Sequence, residues 1–241
     1  SWSAADIATS ADGARSVFVA DMDNDGDMDI VSASSFDDKI AWYENATAAP
    51  GTPTFTAATI PTALDDPRSI YAVDLDQDGD MDILATSWAD DEITYFENDP
   101  SSNAKFVAHN TNASIDAPTA VFAIDVDTDG DIDFLASAEN GDQIAWYENN
   151  GSQSFTQRII NSNANGAMDV YGIDLDKDGD VDVISASEND NKIAWYENNG
   201  SQSFTAHTIT TSANGARSVY AFDMDNDGDI DVLSASYADN K

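Results

Sequence analysis

The chain has 241 residues, of which 46 are acidic and 9 are lysine or arginine, so its net charge is −37, and it contains no cysteine. This charge argues against nucleic acid as a partner, because phosphate binding needs clustered Lys and Arg. Without cysteine there is no disulfide and no thiolate metal site, and no apolar run approaches the ~20 residues that cross a bilayer, so we expect no membrane insertion.

Intrinsic disorder is the simplest interpretation of so acidic a chain. Hydrophobic residues nevertheless make up 41% of the sequence, and they recur at fixed places in a repeated pattern. A chain of this length and composition can bury a substantial core. We therefore expect one folded domain over 1–241.

The first predicted strand of each repeat is a short apolar run that precedes an acidic segment. β-Branched and aromatic residues followed by a turn signal indicate a buried strand. The five runs are Val17–Ala20, Ile70–Val73, Val121–Ile124, Val170–Ile173 and Val219–Phe222.

The acidic segment is the string D-x-D-x-D-G-D-x-D, which occurs five times at intervals of 53, 51, 49 and 49 residues. Five carboxylates within nine residues repel one another unless a cation lies among them, and oxygen-rich clusters suit calcium. The five loops hold 25 of the 46 acidic residues, and five divalent ions would change the net charge from −37 to −27. The sequence therefore predicts about five Ca²⁺ ions, one in each loop.

Three further strands are predicted after each loop. Examples are Ile30–Ser34 for the second strand, Ile40–Asn45 for the third and Phe155–Ile160 for the fourth, and the Asn-Gly turn before the fourth strand favours a hairpin. Four antiparallel strands in about 50 residues, without a helical period, are typical of a β-propeller blade.

The blade units are predicted at about 8–60, 61–111, 112–160, 161–209, and 210–241 together with 1–7. The segment 1–7 aligns with a fourth strand and is expected to close the ring. The last unit then lacks its third strand, so the natural chain either continues or takes a strand from another chain, which would be self-assembly by strand complementation.

An EF-hand is the obvious alternative for the loops, because its loop begins in the same way. It requires a bidentate Glu at position 12 and flanking helices. That position holds Ser32, Ala85, Ala136, Ser185 and Ser234. The EF-hand interpretation is therefore rejected.

The loop, the flanking strands and the strand with W-Y-E-N together resemble the FG-GAP and VCBS repeat family of calcium-loop propellers, which includes the integrin α-subunit heads. The resemblance extends over the whole chain, and it implies a loop between the innermost and second strands. It also implies ligands from the side chains at positions 1, 3, 5 and 9 and from the carbonyl at position 7.

Carried over to this sequence, the ligand side chains are Asp21, Asp23, Asp25, Asp29, Asp74, Asp76, Asp78, Asp82, Asp125, Asp127, Asp129, Asp133, Asp174, Asp176, Asp178, Asp182, Asp223, Asp225, Asp227 and Asp231. The carbonyl ligands belong to Asp27, Asp80, Asp131, Asp180 and Asp229.

No catalytic constellation can be assembled, so we expect a protein that is not an enzyme. The only histidines, His109 and His207, share one position on the fourth strand where other units have Ala or Arg, which indicates an outward, solvated position. Carboxylate pairs for glycoside cleavage are present by residue type, but most are assigned to metal. The tryptophan of the third strand, as in Trp42, is interpreted as core and not as a sugar platform.

One surface differs between the repeats, on the face opposite the metal loops. It carries arginines and aromatic residues in the turns there: Arg15, Arg68, Arg217, Phe36, Trp88 and Tyr237. Such a combination is typical of a recognition surface for a protein or glycan ligand. The alternative is that each arginine pairs with a neighbouring acid such as Asp37, Asp90 or Asp239 and contributes little.

These features predict an extracellular or cell-surface calcium-binding β-propeller that serves as a binding, adhesion or assembly module, with structural calcium. One alternative is a carbohydrate-binding lectin of the same repeat type, which would need equivalent aromatic pockets in several blades. Another is the non-catalytic propeller of a larger extracellular enzyme.

Overall fold

The computed structural model describes residues 6–46, 53–99, 101–102 and 105–239, and these residues form β-strands and no helix. Among them, therefore, no helix is long and apolar enough to cross a membrane. The strands are β1 Ala14–Ala20, β2 Asp29–Ser34, β3 Lys39–Asn45, β4 Phe55–Ile60, β5 Pro67–Val73, β6 Asp82–Ser87, β7 Glu92–Asn98, β8 Phe106–Ser114, β9 Pro118–Ile124, β10 Asp133–Ala138, β11 Gln143–Asn149, β12 Phe155–Asn161, β13 Ala167–Ile173, β14 Asp182–Ser187, β15 Lys192–Asn198, β16 Phe204–Thr210, β17 Ala216–Phe222 and β18 Asp231–Ser236.

Consecutive strands pair in antiparallel sheets, and each sheet with its acidic loop is called a repeat below. Repeats 1 to 4 are the four-stranded sheets β1–β4, β5–β8, β9–β12 and β13–β16, and repeat 5 consists of β17 and β18 in the described part of the chain. Each acidic loop joins the first strand of a repeat to the second. The predicted strand order and the position of the loop are thus confirmed.

The hydrophobic core lies between the sheets. Alternate side chains of a strand point to opposite faces, so the first strands of repeats 2 to 4 pack one face against the preceding repeat and the other against the following one. Leu84 and Leu135, on the second strands of repeats 2 and 3, are fully buried in two successive inter-sheet clusters. Complete burial of such a side chain stabilises the fold by about 1.5–3 kcal/mol.

A stack of aromatic rings runs across the first strands of all five repeats. It consists of Phe18, Tyr71, Phe122, Tyr171 and Tyr220, with successive ring centroids 4.6, 5.1, 4.5 and 4.8 Å apart. The tilted and edge-on arrangements are those that aromatic pairs prefer. These ring contacts pack each repeat against the next.

The spacing between first strands also depends on a small residue. Gly172 lies so close to repeat 3 that an added Cβ would meet Ile124 Cγ2 and Leu135 Cδ1 at 3.0 Å. The corresponding residues of repeats 2, 3 and 5 are alanines, which keeps neighbouring sheets close together.

The two ends of the row of sheets are open in the described residues. Val17 and Val19 of β1 are 65% and 53% exposed, and Tyr220 of β17 is 51% exposed. The strand predicted over 1–7 lies largely outside the described residues, and Asp6 and Ile7, which are described, are not in a strand. Closure of the ring and the exact blade boundaries stay predictions.

Candidate metal centres

The acidic loops all lie at the same ends of their sheets, and each brings carboxylates together. Positions are counted from 1 to 9 along each D-x-D-x-D-G-D-x-D string. Three carboxylate oxygens lie within 4.8 Å of one another in every loop. The residues are Asp21, Asp23 and Asp25; Asp74, Asp76 and Asp78; Asp125, Asp127 and Asp133; Asp174, Asp176 and Asp182; Asp223, Asp225 and Asp231. The loops thus gather positions 1, 3 and 5 in two repeats and positions 1, 3 and 9 in three.

The loop backbone is held in one conformation by its own side chains. The carboxylate at position 1 accepts a hydrogen bond from the glycine amide at position 6, as from Gly130 N to Asp125 Oδ2 at 3.0 Å. The carboxylate at position 5 accepts one from the amide at position 7, as from Asp131 N to Asp129 Oδ1 at 2.9 Å. The position-6 glycines have φ between 93° and 99°, a region that disfavours other residues. The predicted turn at this glycine is confirmed.

The side chain at position 7 stays outside these clusters. Asp80 and Asp229 accept hydrogen bonds from the preceding loops. Asp131 and Asp180 lie beside the turns at Gly151 and Gly200, where a Cβ would come within 2.6 Å and 2.5 Å of the carboxylate. This placement is compatible with position 7 contributing its carbonyl oxygen, and not its side chain, as a ligand of a cation.

The aspartate at position 9 begins the second strand and is buried in repeats 1 to 4. In repeat 1, Asp29 accepts hydrogen bonds from Met22 N at 3.2 Å, Asn45 N at 2.7 Å and Trp42 Nε1 at 3.0 Å. In repeat 2, the corresponding donors to Asp82 include the Tyr95 hydroxyl at 3.3 Å. The third strand therefore anchors the loop.

The tryptophan of the third strand thus has two roles. Trp42 and Trp146 are buried in the inter-sheet clusters, which confirms the core interpretation. The indole N–H of Trp42 in addition holds a loop carboxylate, which residue type and burial alone did not indicate.

The pKa values of several of these carboxylates are raised, because their surroundings disfavour negative charge. Burial raises the pKa of Asp82 to about 7 and that of Asp133 to about 6, against the opposing effect of backbone N–H donors. The pKa of Asp23 is also raised, first by burial and then by the neighbouring charges of Asp29 and Asp25. Each shift expresses a cost of placing negative charge here without a cation.

Several buried carboxylate oxygens in the clusters have no hydrogen-bond partner in the described structure. They are Asp23 Oδ1, Asp74 Oδ1 and Asp223 Oδ1. A buried, unpaired carboxylate oxygen is costly, and a divalent cation would satisfy it. The donor set is entirely oxygen, so the clusters fit a hard cation such as Ca²⁺.

The opposite face carries the second predicted site. Each arginine lies over the aromatic ring of its own repeat: Arg15 over Phe36 at 5.9 Å, Arg68 over Trp88 at 4.2 Å and Arg217 over Tyr237 at 5.0 Å. Phe36 and Tyr237 are 71% and 60% exposed. The structure therefore brings these six residues together as three pairs.

Two of these arginines also form ion pairs, but with acids other than those suggested by the sequence. Arg68 pairs with Asp66 and with Glu139 of the next repeat, both at 2.9 Å. Arg217 pairs with Glu188 of the preceding repeat at 2.8 Å. Asp37 instead pairs with Lys39. The alternative that the arginines pair with acids thus applies to Arg68 and Arg217, and their partners lie on adjacent repeats or in the preceding turn.

The two histidines face outward on the fourth strands, as predicted. Each contacts a glutamate of the third strand at 2.7 Å, His109 with Glu97 and His207 with Glu197. Their rings stack on Tyr95 and Trp195.

Comparison with known proteins identifies the repeat. The model of the FG-GAP-like repeat matches residues 21–85, 125–185 and 174–234, which together cover more than half of the chain. The chain belongs to the FG-GAP-like repeat family. No curated protein sequence gives a significant match.

Several solved structures share the fold at low sequence identity. The Vibrio cholerae biofilm matrix protein Bap1 is 18% identical, with a TM-score of 0.54 over 84% of this chain and 29% of Bap1. A putative 6-phosphogluconolactonase from Bacteroides uniformis is 17% identical, with a TM-score of 0.53 over 90% of this chain and 62% of that protein. An auxiliary nutrient binding protein from Bacteroides ovatus is 7% identical, with a TM-score of 0.50 over 87% and 64% of the two chains. This chain spans less than two thirds of each of these proteins.

The Trp42 anchor can be tested with two substitutions that differ by one hydroxyl. Trp42→Phe removes the donor to buried Asp29 and is expected to lower the free energy of unfolding by about 1.5–3 kcal/mol beyond the effect of ring size. The side chain introduced by Trp42→Tyr has nearly the same volume as the one introduced by Trp42→Phe, and it restores a donor, as Tyr95 does in repeat 2. Trp42→Tyr is therefore expected to lose less stability than Trp42→Phe. Urea denaturation at constant calcium measures both, and equal losses would contradict a role for the hydrogen bond.

Proposed function

We propose that each acidic loop binds one Ca²⁺ and that the chain acts outside the cell as a calcium-stabilised, propeller-type binding or adhesion module without catalytic activity. The observation that carries this proposal is the repeated carboxylate cluster, with buried oxygens that lack partners. Five ions would compensate ten of the 37 net negative charges.

Calcium suits these loops better than magnesium does. Calcium accepts 6–8 oxygen ligands at about 2.3–2.6 Å in irregular geometry, whereas magnesium requires a nearly regular octahedron. The side chains at positions 1, 3, 5 and 9 and the carbonyl at position 7 would hold the ion, and the ion would supply charge compensation and no chemistry on a substrate. Five similar loops favour a structural role over a regulatory one.

An extracellular location is supported by the family and by the fold that the chain shares with a biofilm matrix protein. Calcium is millimolar outside cells, so sites of modest affinity would remain filled there. Most acidic residues lie in the loops or form ion pairs, so few carboxylates remain for acid–base chemistry. This supports binding rather than catalysis.

The proposed ligand face consists of the three arginine–aromatic pairs. The exposed pairs of Arg15 with Phe36 and of Arg217 with Tyr237 are its better candidates, because Arg68 and Trp88 are both bound to Glu139. Exposed arginine and tyrosine are enriched at energetically important positions of protein interfaces. We therefore propose a protein partner.

Two further predictions stay open. Strand complementation would use the outer edge of β18, which pairs only with β17 in the described residues. The second of these predictions is that the chain is attached to a catalytic domain in a longer protein.

Calcium binding is tested by equilibrium dialysis of the chelator-stripped and refilled chain. We expect five Ca²⁺ per chain, and four in the variant with Asp125→Asn and Asp127→Asn, which removes two ligands of the third loop. Asp6→Asn, which changes an exposed acid outside the loops, is the matched control and should retain five. An unchanged stoichiometry in the loop variant, or no binding at all, would contradict the assignment.

The ligand face is tested on arrays of immobilised extracellular proteins and of glycans. Arg217→Ala combined with Tyr237→Ala is expected to reduce protein binding at least tenfold, since it removes an interfacial anchor. Arg158→Ala is the control, because this arginine is similarly exposed but lies on an outer strand and pairs with Glu148. Glycan binding that depends on the same pair would favour the lectin alternative. Equal losses in both variants, or no binding to either array, would contradict the proposed face.

A further inference from the structure

In three places, the side chain at position 4 of one acidic loop contacts the following loop. The five position-4 residues are Asn24, Gln77, Thr128, Lys177 and Asn226. We propose that this side chain couples neighbouring calcium loops, so that filling one loop raises the calcium affinity of the next. The inference rests on the proposed calcium binding and adds cooperativity between the loops to it.

The connection between loops 1 and 2 is the most complete. Asn24 Nδ2 donates to Asp80 Oδ1 at 2.6 Å and to Gly79 O at 3.2 Å. These acceptors belong to positions 7 and 6 of loop 2. One amide group therefore holds both the backbone and the side chain of the turn that leads to the position-7 carbonyl.

Two other loops reach forward in the same way with different groups. Gln77 Nε2 donates to Gly130 O of loop 3 at 2.5 Å. Lys177 Nζ lies 3.2 Å from Asp229 Oδ1 of loop 5. The Asp229 side chain is 91% exposed, so this ion pair is expected to be the weakest of the three connections.

The remaining two position-4 residues make no forward hydrogen bond in the described structure. Thr128 has the same φ of 60° as Asn24, but its side chain is shorter. Asn226 belongs to loop 5 and has no following loop in the described residues. The pattern therefore divides the five loops into a connected group 1–2–3 and a connected pair 4–5.

The physical basis of the coupling is the shared conformation of the loops. All five position-4 residues have φ between 60° and 65°, in the left-handed region that non-glycine residues seldom adopt. A cation that orders loop 1 fixes this conformation and therefore directs Asn24 toward loop 2. Asn24 then holds the turn of loop 2 in the form in which its position-7 amide donates to Asp78. Because coupling is reciprocal, filling loop 2 must favour loop 1 by the same factor.

The test uses the five loop glycines as separate reporters in a calcium titration followed by ¹H–¹⁵N NMR. Each of these amides donates to the position-1 carboxylate of its own loop, as Gly79 does to Asp74 and Gly228 does to Asp223. In Asn24→Ala, we expect the midpoints of Gly26 and Gly79 to move to about fivefold higher calcium, because the side-chain hydrogen bonds from Asn24 to loop 2 are lost. The midpoints of Gly179 and Gly228 should not change.

The matched control is Asn226→Ala. Loop 5 differs from loop 1 only at position 8, where Ile230 replaces Met28. This variant therefore measures what the missing side chain does to its own loop, and it should leave Gly26, Gly79 and Gly130 of the separate group 1–2–3 unchanged. A shift of Gly79 in Asn24→Ala, without a shift of Gly26, Gly79 or Gly130 in Asn226→Ala, supports the coupling.

The coupling is overturned if all five glycines respond to calcium and Gly79 titrates identically in the original chain and in Asn24→Ala. If no glycine responds to calcium, the proposed calcium function fails, and the coupling fails with it. The two results are therefore distinguishable in one experiment.

Discussion

Mutual repulsion of carboxylates at one end of the sheets is the constraint on which the rest of the structure depends. Each loop places five of them within nine residues, and the position-9 aspartate begins the second strand of its sheet. In repeats 1 to 4 this aspartate is buried. The conformation of the loop and that of the sheet depend on each other, because the strand that forms the core begins with a loop carboxylate.

The repeats depend on one another for the same kind of reason. In the described part of the chain no sheet encloses a core of its own, since each cluster of buried side chains lies between two sheets. Phe122, for example, contacts Tyr71 on one side and Tyr171 on the other. Nearest-neighbour stabilisation of this type is the rule for repeat proteins. A disturbance in one loop is therefore expected to reach the adjoining inter-sheet clusters.

Much of this architecture could be predicted from the sequence, because it is encoded within single repeats. The apolar run before each loop, the invariant spacing of the aspartates and the strand with W-Y-E-N each predicted an element that the structure contains. What could not be predicted involves two repeats at once. The partner of Arg68 is Glu139, 71 residues away, and the partner of Asn24 is Asp80, 56 residues away. The spacing of neighbouring sheets decides such contacts, and no local pattern reports it.

The central claim is that cations on the loops hold the fold together, and urea denaturation over a series of calcium concentrations tests it most directly. A site that binds only the folded chain adds ~2.7 kcal/mol to the free energy of unfolding when free calcium is 100 times its Kd. We predict that the unfolding midpoint rises continuously with the logarithm of calcium concentration and reaches its minimum in excess chelator. A midpoint that is the same in chelator and in millimolar calcium would contradict the account.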